Sequence, residues 1–116
     1  MGKNTELGQE GEQLASEYLK KKGWEILVRN YRFSRSEIDL IASKDDLLIF
    51  VEVKARTNTS FGLPEEFVDE KKAENIMKAA EHYIKDIDWK SGIRFDIVSI
   101  IKKEKVRIKH IEDAFY

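Results

Sequence analysis

Two stretches of the chain repeat apolar residues at the helical period of three to four positions. The first covers residues 4–22, with Asn4 or Thr5 as N-cap, and stops at Gly23. The second starts with the helix-start residues Pro64 or Asp69 and runs to about residue 85. We predict an amphipathic helix for each; the apolar stripe of the second consists of Ala73, Ile76, Met77, Ala80, Tyr83 and Ile84.

Five other segments have the composition of β-strands, which is rich in branched and aromatic residues. They cover residues 24–33, 37–42, 47–55, 93–101 and 106–111. The order is therefore αβββαββ. Short turns join the first three strands into an antiparallel meander, and the second helix provides the crossover to a parallel fourth strand. We predict an α/β fold with a mixed central sheet flanked by helices.

The length and composition fit one domain that spans residues 1–116. An apolar share of 41%, with one proline and six glycines, is that of an ordinary globular protein. No apolar run approaches the roughly 20 residues of a membrane span. The absence of cysteine excludes disulfides and thiolate chemistry. The polar N-terminus is unlike an export signal, so we expect a cytoplasmic protein.

The net charge of −1 excludes binding to nucleic acid through bulk charge alone. Basic residues nevertheless cluster locally, and such clusters are more often solvated surface than binding sites. The clusters are Lys20, Lys21 and Lys22; Arg29, Arg32 and Arg35; Lys54 and Arg56; Lys71 and Lys72; and Lys102, Lys103 and Lys105.

Four charged residues, Glu37, Asp39, Glu52 and Lys54, stand in the otherwise apolar second and third strands. Glu52 and Lys54 are two positions apart, so their side chains leave the same face of the strand. A turn centred on residues 45–46 pairs positions whose numbers sum to 91, which sets Asp39 opposite Glu52. The two Cβ atoms would then be about 4.5–5.5 Å apart.

Two carboxylates on an apolar face repel each other unless a proton or a cation compensates. A hard cation such as Mg²⁺ or Mn²⁺ suits Asp39 and Glu52, with the backbone carbonyl of Val53 as a further ligand. Lys54 is then placed to position the attacking water or to neutralise charge on a phosphate. The chemistry indicated is metal-assisted hydrolysis.

The roles of two further carboxylates, Glu37 and Glu12, remain open from the sequence. In the same register Glu37 falls opposite Lys54, and the two can form a structural ion pair. Glu12 aligns with Ala15 and Leu19 on the apolar side of the first helix. It either points into the site or lies at the edge of the stripe and reaches water.

Six short motifs occur in order along nearly the whole chain. They are G-x-x-G-E (Gly8 to Glu12), R-N-Y (Arg29 to Tyr31), E-I-D-L-I-A (Glu37 to Ala42), F-V-E-V-K-A-R (Phe50 to Arg56), F-G-x-P (Phe61 to Pro64) and R-F-D-I-V (Arg94 to Val98). Together they resemble the YraN family of small bacterial proteins. That family is similar to archaeal Holliday-junction resolvases and to the restriction-endonuclease-like, or PD-(D/E)XK, fold.

This resemblance implies metal ligation by Asp39 and Glu52, a catalytic Lys54, and an accessory carboxylate at Glu12. The chain departs from the family at one position, because Ser36 stands where a glycine usually precedes the E-I-D segment. This change affects the turn into the second strand and leaves the implied metal ligands in place.

Three functions remain open from the sequence. The first is a Mg²⁺-dependent DNA endonuclease that acts on branched or structured DNA, as a homodimer by analogy. The second is a nucleic-acid-binding module with little or no turnover. The third is a structural protein in which Asp39, Glu52, Lys54 and Glu37 form a buried polar network. For DNA binding, the expected phosphate contacts are Arg29, Arg32, Arg35, Arg56, Lys71 and Lys72.

Overall fold

The computed structural model describes residues 6–57 and 70–115. Within these ranges, each predicted boundary of a helix or strand agrees with the observed one to within two residues. The predicted N-cap at Asn4 or Thr5 and the predicted helix start at Pro64 or Asp69 lie outside the described residues. The order αβββαββ is confirmed. Its elements are α1 (Glu6–Lys21), β1 (Glu25–Phe33), β2 (Ser36–Lys44), β3 (Leu47–Arg56), α2 (Glu70–Ile87), β4 (Gly92–Lys102) and β5 (Val106–Ile111).

The five strands form one mixed sheet in the order β1-β2-β3-β4-β5. Neighbouring strands are antiparallel except β3 and β4, which run parallel over ten residue pairs. The meander and the parallel crossover strand predicted from the sequence are both confirmed. This architecture is compatible with the restriction-endonuclease-like fold.

The register of β2 on β3 follows from their two-residue turn. Asp45 adopts a left-handed φ of 55°, which the mirror-image turns of tight hairpins require and which Asp tolerates better than most residues. Lys44 pairs with Leu47, and the pairing continues to Leu40 with Val51. Every pair sums to 91, as predicted.

Helix α1 packs on one face of the sheet. Ala15 and Leu19 are buried there against a cluster that includes Leu40, Val51 and Val98. Glycine is needed where the helix crosses β3, because a Cβ on Gly11 would lie 2.5 Å from the Cβ of Ala55. The backbones of α1 and β3 therefore approach each other closely.

Helix α2 packs on the opposite face. Ile76, Ala80 and Tyr83 belong to a second buried cluster with Ile41 and Phe50 of the sheet. The alternation of β2 and β3 explains the division, because neighbouring residues such as Leu40 and Ile41 point to opposite faces. The face predicted to carry Asp39 and Glu52 is the one that α2 covers.

Both β1 and β2 break their alternation at one level of the sheet. Arg29 contacts α1, whereas Tyr31, two residues later, lies in the α2-side cluster. Between them Asn30 has a left-handed φ of 53°. In β2 the same change separates Leu40 from Ile38. Asp39 therefore lies at a kink between two oppositely facing stretches of strand.

No helix within residues 6–57 and 70–115 is long and apolar enough to span a membrane.

Candidate metal centre and nucleic-acid interface

Asp39 and Glu52 line one pocket between the sheet and the N-terminal half of α2. Both residues are buried, with relative exposures of 1% and 5%. The pocket encloses about 170 Å³, which is space for an ion with several waters. The full lining is Arg35, Ser36, Glu37, Asp39, Glu52, Lys72, Asn75 and Ile76.

The kink in β2 fixes the carboxylate of Asp39. The β2–β3 pairs end at Leu40 and Val51. Beyond them, the backbone N–H of Val53 donates a hydrogen bond of 2.7 Å to Oδ2 of Asp39. The side chain thus accepts an amide as strand carbonyls do within the ladder. This bond orients the carboxylate at the wall of the pocket.

Glu52 carries a cationic partner from α2. The ammonium Nζ of Lys72 lies 2.8 Å from its Oε2. The Glu52 side chain is 4% exposed, whereas the Lys72 side chain is 36% exposed and reaches the pocket from the solvent side. The sequence argument required a proton or a cation to compensate these carboxylates, and within the described residues α2 supplies a cation.

Lys54 follows Glu52 by two positions on the same regular strand, so alternation directs both to the α2 side. It is half-buried, and it pairs in register with the buried Ser99 of β4. The rival Glu37 lies 3.2 Å from Nε of Arg32 on the neighbouring strand. Glu37 therefore has an ion pair within the β1–β2 hairpin.

The β1–β2 turn forms the rim of the pocket. Arg35 and Ser36 both line it, so the pocket has one basic residue from this turn and another, Lys72, from α2. Ser34 carries the left-handed φ of 59° in this turn, whereas Ser36 has no positive φ. Serine consequently fits without strain at the position where the YraN family usually has glycine.

Comparison with protein families places this geometry in context. Residues 11–100, which include both carboxylates, strands β1 to β3 and most of β4, match the model of the uncharacterised protein family UPF0102. The chain belongs to the UPF0102 family. This is the YraN family that its motifs resemble, so the resemblance is confirmed.

UPF0102 relatives match the chain along its length. The UPF0102 protein of Christiangramia forsetii is 44% identical over 100% of this chain and 98% of its own. The UPF0102 protein of Flavobacterium psychrophilum is also 44% identical, with the same coverage. The UPF0102 protein of Syntrophomonas wolfei is 48% identical over 97% of this chain and 99% of its own.

Glu12 of this UPF0102 chain is buried but lies on the other side of the sheet. It is 6% exposed, so the interpretation that it reaches water from the edge of the helix stripe is wrong. It belongs to α1, which packs on the face opposite the pocket. In the parts of the chain that the structure describes, no three His, Cys, Asp or Glu side chains are grouped to hold a metal ion. Glu12 is therefore not gathered with Asp39 and Glu52.

Arg29 is held against α1 instead of the pocket. Its Nη1 donates to the Gln13 side-chain oxygen at 2.9 Å, and its Nη2 donates to the Ser16 hydroxyl at 2.8 Å. The kink at Asn30 directs it to this face. Arg29 therefore joins β1 to α1. These two hydrogen bonds account for its position without a phosphate contact.

The other predicted phosphate contacts surround the pocket at different distances. Arg32 is largely exposed and pairs with Glu37. Lys71 is exposed in the first turn of α2, and Arg56 is half-buried at the end of β3. Among the six basic residues predicted to bind phosphate, Arg35 and Lys72 line the pocket itself.

The contribution of α2 to the pocket was not predicted from the sequence. Lys72, Asn75 and Ile76 line it, yet only Ile76 was singled out as an inward-facing residue. A signal was present, because Lys72 precedes Ile76 by four positions and Ala79 by seven. A lysine in line with a buried helix stripe either extends its ammonium to solvent or pairs with a buried anion.

A second charged cluster lies on the α1 side of the sheet. Asp96 has 0% exposure, and its carboxylate accepts two hydrogen bonds of 2.8 Å from Arg94. His110 Nε2 lies 2.7 Å from it, and the Asp113 amide donates at 3.1 Å. Burial alone would raise the pKa of Asp96, but the hydrogen bonds from His110, Arg94 and Asp113 hold that pKa below its ordinary value.

This cluster ties the C-terminal hairpin to α1. The Arg94 guanidinium lies 5.8 Å from the centre of the Trp24 ring, and His110 meets the edge of Tyr18 at 5.8 Å. Asp96 pairs in register with Val51, which faces α1. The cluster thus lies across the sheet from the pocket, and its bonds explain it as a structural anchor.

Proposed function

We propose that this UPF0102 family member is a metal-dependent DNA endonuclease that hydrolyses phosphodiester bonds, with branched or structured DNA as its substrate class. The observation that carries the proposal is the pair of buried carboxylates, Asp39 and Glu52, in a pocket flanked by Arg35 and Lys72. Anionic walls inside a cationic rim suit a site for a metal ion and a phosphate together.

The donor set fits Mg²⁺ or Mn²⁺. Asp39 and Glu52 would hold the ion, with the Val53 carbonyl as a further ligand. Glu12, the accessory carboxylate that the family resemblance implies, is not grouped with them. Two carboxylates form an open site, and Mg²⁺ prefers few protein ligands with the remainder supplied by water and phosphate. The Lys72 ammonium beside Glu52 supports the view that positive charge stabilises the two carboxylates of this pocket.

Each side chain has a separate task in this proposal. The bound ion supplies Lewis-acid polarisation of the phosphodiester and an activated water. Lys54 positions the nucleophilic water and offsets the charge that develops on phosphate. Arg35 holds a neighbouring phosphate at the rim. Lys71 and Arg56 extend the path of phosphate contacts beyond the pocket, and a homodimer would supply a second site for a second strand.

The test is a cleavage assay on labelled four-way junctions, flaps and single strands with Mg²⁺ and Mn²⁺. We expect cleavage by the wild type and its loss in Asp39→Asn, Glu52→Gln and Lys54→Met. Calorimetry with Mn²⁺ should show binding that is lost in the first two variants and kept in the third. Lys90→Gln, an exposed change beyond the far end of α2, is the matched control. Metal binding without cleavage of any of these substrates would refute the endonuclease.

A nucleic-acid-binding module without turnover is the second candidate. The Lys72–Glu52 ion pair favours it, because a carboxylate that already has a cation can serve the fold without a metal. This candidate predicts DNA binding that weakens steeply with salt, needs no divalent ion and survives Asp39→Asn.

A further inference from the structure

Lys72 has an unusual position for a lysine. Its stem lies in line with the buried stripe of α2, and its ammonium ends 2.8 Å from a carboxylate that is 4% exposed. It also lies in the first turn of the helix, where the helix dipole favours anions over cations. The ion pair with Glu52 offsets the cost of partly burying the ammonium and its unfavourable interaction with the helix dipole.

The ammonium and a divalent cation would compete for the same oxygen. Lys72 approaches Oε2 of Glu52, which is one of the two carboxylates assigned to the metal in the proposed function. Two cations at contact distance repel each other strongly in a partly desolvated pocket. Binding of the metal to Oε2 therefore requires the ammonium to leave that oxygen.

The ammonium has a route out of the pocket. The Lys72 side chain is about one third exposed, and its four-carbon stem can swing the charge towards solvent without moving α2. Arg35 of the β1–β2 turn lines the same pocket. A phosphate bound over the carboxylates would be near both basic residues and would receive the displaced ammonium.

We propose that Lys72 is an internal counter-cation, which neutralises Glu52 in the free protein and transfers to a DNA phosphate when a divalent cation binds. The inference rests on the proposed metal site and adds a coupling to it. Metal binding frees a phosphate contact, and a phosphate that holds Lys72 frees the metal ligand. Metal and DNA then bind cooperatively, each raising the affinity of the other by the same factor.

The first test is Mn²⁺ titration of the DNA-free protein by calorimetry. Lys72→Met should bind Mn²⁺ about tenfold more tightly than wild type or better, because it removes the competing charge. Lys72→Arg, which keeps a cation, should retain the weak wild-type affinity. Lys78→Met removes an exposed charge from the same helix and should leave the affinity unchanged.

The outcomes separate this inference from the proposed function. Equal or weaker binding by Lys72→Met, with binding abolished in Asp39→Asn, would overturn the counter-cation and leave the metal site intact. Absence of Mn²⁺ binding in wild type and Lys72→Met alike would overturn both. Circular dichroism and melting without metal report folding; if Lys72→Met does not fold, the comparison uses Lys72→Gln.

The second test measures the coupling itself. Junction DNA affinity is determined with Ca²⁺ and without a divalent ion, and the ratio of the two affinities is compared between proteins. Wild type and Lys78→Met should show the same large ratio, and Lys72→Met a clearly smaller one. An unchanged ratio in Lys72→Met would contradict the transfer of the ammonium to phosphate.

Discussion

The carboxylate of Asp39 performs two tasks that substitution can separate. It accepts the Val53 amide, and it carries a charge beside Glu52. Asp39→Asn keeps an acceptor oxygen and removes the charge, so we expect unfolding free energy in metal-free buffer to stay the same or rise slightly. Asp39→Ala leaves a buried N–H without its acceptor, which costs about 1–3 kcal/mol.

Urea melts of the two variants without metal measure this difference. If the Asn variant lost as much stability as the Ala variant, the charge itself would be structural. That result would favour the buried polar network that the sequence left open.

The lowered pKa of Asp96 predicts that the free energy of unfolding falls at acid pH. Its pKa lies below the ordinary 3.8 in the folded protein, so the unfolded chain takes up the proton first as pH falls. Its contribution to stability is therefore complete above about pH 4 and is lost as pH drops towards the lower, folded pKa. Asp96→Asn should cost about 3 kcal/mol at pH 7, because it breaks a buried charged cluster.

The same variant should lose less stability than wild type between pH 5 and pH 3. Urea melts across that range provide the measurement, and Asp88→Asn, at an exposed ion pair, is the control. An equally steep acid dependence in Asp96→Asn would mean that other carboxylates carry it.

The side-chain contacts that join separate helices and strands were the hardest feature to predict from the sequence. The prediction that Asp39 and Glu52 share one site rested on a turn and a period of two. Both residues do line one pocket, although the β2–β3 pairs end at Leu40 and Val51 and β2 is kinked at Asp39. The contacts of Lys72 with Glu52 and of His110 with Asp96 join separate elements, and nothing local to either residue specifies them. They depend on where α2 and β5 dock, which tertiary packing decides.

At the scale of elements, the depth at which α1 docks depends on Gly11. Alanine in place of this glycine would favour the helix by up to about 1 kcal/mol, but its methyl group would meet the Cβ of Ala55. We expect Gly11→Ala to destabilise the protein by about 1–2 kcal/mol, since a buried clash usually outweighs helix propensity.

A double-mutant cycle tests the contact. Ala55→Gly removes the opposing Cβ, so the double variant should recover at least about 1 kcal/mol relative to the sum of the single changes. Additive free energies would show that α1 shifts freely and that the close approach is not required.

The kink in β1 and β2 could not be predicted from the pattern of apolar and polar residues within each strand. The hairpin β2–β3 was predicted in register because both strands are apolar and their turn has two residues. The opposite facing of Arg29 and Tyr31 was not predicted, because alternation was assumed through Asn30. Asparagine tolerates a left-handed φ but does not require one, so its identity alone cannot mark the kink.

At the scale of the whole molecule, a net charge of −1 makes DNA binding depend on few residues. Arg35 lines the pocket rim, so Arg35→Gln should weaken binding and lower the slope of log affinity against log salt by about one. Fluorescence anisotropy from about 50 to 200 mM salt measures the slope. Lys90→Gln should match the wild type; equal slopes for all three proteins would exclude Arg35 as a phosphate contact.

The sequential order of the sheet divides the molecule into two complementary halves. Residues 6–57 contain both pocket carboxylates, and residues 70–115 contain Lys72 and the strand that covers β3. Separated from the second half, the first would expose an apolar strand edge of the kind that drives chains to aggregate. During synthesis, we therefore expect the N-terminal half to be prone to association with other chains until β4 is made. The later arrival of β4 closes its edge, and the arrival of α2 closes the acidic pocket.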